Sequence, residues 1–90
     1  KTKVYKSNAY DLKETNLKNE IFDIIFLDPP FKDKEINILI DQIKILKIAN
    51  INTLIIIHRN KKSVDNISTF LNVLDEKNYG LSKILFSKLI

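Results

Sequence analysis

The apolar run Phe22-Asp23-Ile24-Ile25-Phe26-Leu27 ends abruptly at Asp28-Pro29-Pro30. Proline fixes φ, lacks the N–H that a ladder needs and pushes the residue before it out of the helical region. A strand can therefore run up to this point, and neither strand nor helix can pass through it. An apolar run of strand length with little alternation belongs to a strand buried on both faces, the situation in a parallel sheet. Beyond Phe31 and the charged Lys32-Asp33-Lys34, the residues Ile36, Leu39, Ile40, Ile43 and Leu46 recur at three- and four-residue spacing, with Asp41, Gln42, Lys44 and Lys47 between them. That spacing predicts an amphipathic helix of about three turns. Asn50 and Asn52 mark a turn, and Thr53-Leu54-Ile55-Ile56-Ile57 reads as a second buried strand running into His58-Arg59-Asn60-Lys61-Lys62. Strand, helix and strand with a crossover of this length form a βαβ unit, right-handed and with parallel strands. Ligands in open sheets of this kind sit beyond the carboxyl ends of the strands. Asp28-Pro29-Pro30-Phe31 and His58-Arg59-Asn60 occupy two such ends, side by side.

The flanks are read in the same way. Residues 4–7 are a short β-prone stretch leading into Ser7-Asn8-Ala9, and residues 10–18 are polar enough for no more than a turn of helix. Val64, Ile67, Phe70, Leu71 and Leu74 suggest a second helix opened by Ser63. Residues 73–90 alternate around Tyr79-Gly80, with Leu81, Leu85 and Leu89 on one side and Ile84 and Phe86 on the other. They predict an antiparallel hairpin with the chain's single glycine at the tight turn. No repeat, Pro/Gly/Ser linker or low-complexity tail divides the chain, so its 90 residues form one unit.

Composition narrows the chemistry. The absence of cysteine removes disulfides, thiolate nucleophiles and cysteine-based metal sites, and the single histidine, His58, leaves no second imidazole for zinc. No metal is expected, and catalysis by a Ser-His or Cys-His pair is close to excluded. No run approaches the roughly 18 apolar residues of a membrane span, and the start Lys1-Thr2-Lys3-Val4-Tyr5-Lys6 lacks the apolar core of a signal peptide, so a soluble cytoplasmic protein is expected. The chain contains no methionine and starts at Lys1, from which further sequence upstream is expected. The net charge of +4 has a nucleic-acid reading and a bland one. Ile, Lys and Asn supply 40 of the 90 residues, the usage that AT-rich codons give whatever the function.

Asp28-Pro29-Pro30-Phe31 carries the most specific chemistry. Two prolines stiffen the backbone and remove two N–H donors, leaving carbonyl acceptors and one carboxylate in a fixed array, with the flat face of Phe31 beside them. Such an array suits an exocyclic amino group on a nucleobase: the amine donates to the Asp28 carboxylate and the Pro29 carbonyl while the ring stacks on Phe31. A conjugated amine is a poor nucleophile. Hydrogen bonding to a carboxylate localises its lone pair and stabilises the cation that alkylation forms. A base in a duplex must first be flipped out.

This pattern resembles the fourth motif of S-adenosylmethionine-dependent N-methyltransferases that act on amino groups of nucleic-acid bases. Taken together, Ser7-Asn8-Ala9, the run from Ile24 through Leu27 into Asp28-Pro29-Pro30-Phe31, the strand ending at His58 and the Asn78-Tyr79-Gly80 hairpin resemble the RsmD family, which methylates N2 of a guanine in small-subunit ribosomal RNA. The resemblance covers nearly all of the chain but only the later two-thirds of a family member. It implies an α/β fold, the C-terminal part of a Rossmann-like methyltransferase sheet made of βαβ plus a terminal antiparallel hairpin, as a single partial domain without the glycine-rich cofactor strands. It also implies a target-amine site at Asp28, Pro29, Pro30 and Phe31, cofactor contacts at Asn8 and Ala9, S-adenosylmethionine as cofactor, and ribosomal RNA or the small subunit as partner.

Lys32, Lys34, Arg59, Lys61 and Lys62 cluster near the same sheet edge as candidates for RNA phosphates. The departures from the family are equally specific. The glycine-rich first motif and the acidic ribose ligand are missing, and His58 stands where the family often has an acidic residue. Two other readings stay open: a fragment of an adenine-N6 DNA methyltransferase, and a truncated, non-catalytic remnant. In the family's strand order two strands lie between the counterparts of residues 4–7 and 24–27. The expectation is that the latter edge either pairs with a second chain or is covered by the N-terminal stretch.

Overall fold

The computed structural model describes residues 2–7, 20–28, 36–62 and 71–90. They form five strands and one helix: β1 (Val4–Ser7), β2 (Ile24–Leu27), α1 (Ile36–Leu46), β3 (Leu54–Asn60), β4 (Leu71–Tyr79) and β5 (Ser82–Leu89). The strands make one sheet in the order β1-β2-β3-β5-β4. β1, β2 and β3 run parallel, β5 runs antiparallel to β3, and β4 is antiparallel to β5. The α/β class, the βαβ unit and the terminal hairpin are thus as the sequence predicts. The edge of β2 away from β3 is covered by β1, the second of the two arrangements expected for it.

Strand period and helix period meet on one face of this sheet. Ile25 and Leu27 of β2, Ile55 and Ile57 of β3 and Leu85 of β5 are buried, and with them Ile36, Leu39, Ile40 and Ile43 of α1 form the core, joined by Phe22, Ile48 and Leu71. Burying each such side chain contributes roughly 1.5–3 kcal/mol. The outward positions of α1 remain in solvent: Asp41 and Lys44 are exposed, and Ile45 is 70% exposed. On the opposite face of the sheet Ile24, Phe26, Leu54, Ile56, Ile84 and Phe86 are half-buried.

The turn that returns α1 to the sheet is built from hydrogen bonds the sequence does not advertise. Lys47 has φ of 56°. Its N–H donates to the Lys44 carbonyl at 3.2 Å, and the Ile48 N–H donates to the Ile43 carbonyl at 3.4 Å. This is the double closure of a Schellman motif, with buried Ile48 and Ile43 as its apolar contact. Phe22 N–H then donates to Ile48 O at 2.9 Å, which ties the helix exit to the approach of β2. Asn50 Oδ1 accepts from Asn52 N–H at 2.9 Å, and the buried Thr53 hydroxyl donates to Phe22 O at 2.7 Å, so the Asn50/Asn52 turn also delivers β3 beside β2.

The hairpin closes through Gly80 and Leu81, with Tyr79 paired to Ser82. Gly80 has φ of 55°, the left-handed start that a two-residue II′ turn requires. Leu81 belongs to the turn and is exposed, which corrects its expected place on a strand face. The predicted second helix is corrected in part. Leu71 and Leu74 lie in β4, where Leu74 is the extra residue of a bulge between Val73 and Asp75. Val64, Ile67 and Phe70 lie outside the described residues, as do residues 10–18.

Candidate functional site

Because β1, β2 and β3 are parallel, their carboxyl ends share one rim of the sheet. The β2–β3 register pairs Ile24 with Leu54, Phe26 with Ile56 and Leu27 with Ile57. One residue further along each chain come Asp28 and His58. By alternation both project from the face of Phe26 and Ile56, away from α1. Their side chains meet: His58 Nδ1 lies 2.8 Å from Asp28 Oδ1, with side chains 35% and 41% exposed respectively. An ionised carboxylate only accepts, so the Nδ1 hydrogen makes this bond, and in a neutral ring Nε2 holds the lone pair. Among the described residues, Asp28 Oδ2 has no hydrogen bond with a described partner. The pair thus offers a fixed carboxylate oxygen at the rim, next to a strand exit whose following residues are Pro29-Pro30-Phe31.

The same alternation explains the fate of Arg59. Following Ile55 and Ile57 on the α1 face of β3, it is buried at 3% exposure and engaged within the protein. The expected phosphate contact from Arg59 does not fit this placement, because a buried, engaged guanidinium is not presented to a polyanion. Lys61 and Lys62 are exposed just past the end of β3, where Lys61 N–H donates to Leu81 O at 2.7 Å and Lys62 N–H to Asn60 Oδ1 at 2.9 Å. Pro29, Pro30 and Phe31, Asn8 and Ala9, and Lys32 and Lys34 lie outside the described residues.

Two features were not singled out by sequence reasoning. The first is the contact between Asp28 and His58; the two strand ends were placed side by side, but His58 was assigned no partner. Matching strand-end positions in a predicted parallel pair is the signal that finds it. The second is Lys6, whose Nζ stands 5.6 Å from the ring centroid of Phe26, on the Asp28 face of the sheet one step below the rim. A cation so placed over a ring contributes about 0.5–1 kcal/mol at an exposed site.

No group of His, Asp and Glu side chains among the described residues is arranged to hold a metal ion. None of their helices is long and apolar enough to cross a membrane. A glycine turn against which the methionine end of S-adenosylmethionine would lie is not among the chain's residues: the single glycine, Gly80, serves the β4–β5 turn. The described residues bring a carboxylate and an imidazole together at the rim and include no glycine turn for a cofactor.

Comparison with known proteins agrees with the topology. The fold is similar to that of a candidate methylase from Haemophilus influenzae, with a TM-score of 0.66 and 24% identity over 81% of this chain and 46% of that one. It is similar to a conserved hypothetical protein from Streptococcus pyogenes, with a TM-score of 0.70 and 22% identity over 84% and 48%. A candidate methyltransferase from Escherichia coli gives a TM-score of 0.63 and 19% identity over 92% and 45%. The chain thus spans about half the length of the solved structures it matches. No curated protein matches it. One family model matches residues 1–88, nearly the whole chain, and by that match the chain belongs to the family described as conserved hypothetical protein 95.

Proposed function

We propose that this chain carries the target-amine half of an S-adenosylmethionine-dependent methyltransferase that modifies N2 of a guanine in small-subunit ribosomal RNA. The observation that carries the reading is the position of Asp28. It is a hydrogen-bonded, half-exposed carboxylate at the carboxyl end of a parallel strand, and two prolines and a phenylalanine follow it in the sequence. The likeness of the fold to that of proteins described as methylases supports it, as does membership of the family.

Bound alongside, S-adenosylmethionine would supply a methyl group on a positively charged sulfur. The chain's contribution is on the nucleophile. The guanine amine donates to Asp28 Oδ2, which draws lone-pair density back onto the nitrogen and aligns it. Methyl transfer would break the carbon–sulfur bond, the bonding pair staying on a neutral thioether, while the carboxylate would stabilise the positive charge growing on nitrogen until the surplus N–H proton passes to solvent. Phe31 stacks on the flipped base, a contact worth roughly 1–3 kcal/mol. Lys61 and Lys62 stand at the rim in positions that suit the RNA backbone.

The test, on a protein that carries this chain together with the cofactor-binding strands of its fold, is transfer of labelled methyl from S-adenosylmethionine to small-subunit RNA, followed by digestion to nucleosides. Label in N2-methylguanosine supports the reading. Label in N6-methyladenosine transfers the site to adenine chemistry, and no transfer to any nucleic acid contradicts it.

A further inference from the structure

A lone aspartate just past the end of a strand makes a poor template. Its terminal torsion is broad and two-fold, so a half-exposed carboxylate swings between orientations unless something holds it. Asp28 is in that situation by sequence, since β2 ends at Leu27. The group that reaches it comes from a far more constrained place. His58 lies inside β3, a central strand hydrogen-bonded on both sides, where it pairs with Ile84 of β5 one step beyond the Leu27–Ile57 pair of β2. The β5 ladder pairs His58 itself and the β2 ladder holds the residue before it, which together direct its Cβ, and half-buried Ile56 and Ile84 are its neighbours on that face. A rigid donor thus holds one oxygen of a mobile acceptor at 2.8 Å.

We propose that His58 is a positioning residue for Asp28: its Nδ1–H holds Oδ1 and thereby turns Oδ2 toward the amine to be methylated. The inference rests on the amine-methylation reading above and goes beyond it by naming the residue that makes the carboxylate a template. His58 touches neither substrate nor cofactor in this role. A purely structural link between strand ends would affect stability and leave turnover alone, whereas a positioning role affects turnover at unchanged cofactor binding.

The experiment combines kinetics with nitrogen NMR on a purified protein that carries this chain together with the cofactor-binding strands of its fold, since the chain spans about half the length of the structures it matches. Replacing His58 by Leu removes the donor and keeps apolar bulk. His58→Asn keeps a donor, because asparagine Nδ2 is attached to Cγ as histidine Nδ1 is. With small-subunit RNA as substrate, His58→Leu is expected to lower kcat about tenfold with KM for S-adenosylmethionine unchanged, the order expected for one charge-assisted hydrogen bond at a half-exposed site. His58→Asn is expected to recover kcat to within about threefold of wild type, since it restores the donor. In the wild-type protein, the neutral His58 ring is expected to carry its proton on Nδ1, and Asp28→Asn is expected to shift it toward Nε2. A wild type that transfers no methyl overturns the reading beneath the proposal, and the proposal with it. An active wild type whose neutral His58 is protonated on Nε2, or whose His58→Leu variant keeps full kcat, overturns the proposal alone.

Discussion

Single backbone positions decide how α1 hands the chain back to the sheet. Lys47 adopts a left-handed φ in which its Cβ crowds the following carbonyl, a strain of about 1–2 kcal/mol for a residue other than glycine. The Schellman closure and the burial of Ile48 hold it there. Lys47→Gly relieves the strain while loosening the unfolded chain, so a net gain of about 0.5 kcal/mol is expected. Thermal unfolding checks this through a rise in midpoint of a few degrees, and a fall would show that the lysine side chain does more than tolerate the turn. Nothing in the sequence marks this position, because neither glycine nor asparagine stands there. Gly80, by contrast, was legible as the lone glycine between two alternating stretches. Arg59 was legible in principle and misread: adjacency in sequence grouped it with Lys61 and Lys62, whereas the two-residue period of β3 sends it inward behind Ile57.

At the level of elements, the β2-α1-β3 unit follows from periodicity alone, because its apolar residues are buried where their spacing says. Two isoleucines of α1 test this directly. Ile40→Ala empties a fully buried position and is expected to cost about 2–5 kcal/mol, while Ile45→Ala, on the solvent face, is expected to change stability by less than about 0.5 kcal/mol. Denaturant titration of both variants checks the difference, and similar losses would place α1 the wrong way round. β4 was the element hardest to read. Leu71 and Leu74 are three apart, a helical spacing that no regular strand places on one face. The bulge between Val73 and Asp75 adds a residue and breaks the strand's period. Pairing with β5 across the Gly80 turn overrides the helical spacing of Leu71 and Leu74.

Over the whole molecule, the topology collects chemistry on one rim. Three parallel strands direct their carboxyl ends the same way, and the core on the α1 side leaves Asp28, His58 and Lys6 on the other face. The strand exit at Asp28 was legible because an apolar run stopped by Asp28-Pro29-Pro30-Phe31 is a local signal. The pairing of Asp28 with His58 was not, because it depends on a register between residues 30 apart. Cofactor binding belongs to this scale too. With its only glycine committed to the hairpin, the 90-residue chain is expected to bind S-adenosylmethionine no more tightly than about millimolar, for want of the glycine turn that such folds use. Calorimetry on the isolated chain checks this, and micromolar affinity would show a cofactor site of another design.

The central claim is that Asp28 is the acceptor for the amine being methylated, and steady-state methyl transfer by the Asp28→Ala variant of a protein that joins this chain to the cofactor-binding strands tests it most directly. Loss of that acceptor is expected to lower kcat about a hundredfold, with affinity for S-adenosylmethionine nearly unchanged, because the carboxylate acts on the nucleophile and not on the cofactor. Turnover within about twofold of wild type would contradict the assignment, since an acceptor made in the transition state cannot be removed at so small a cost.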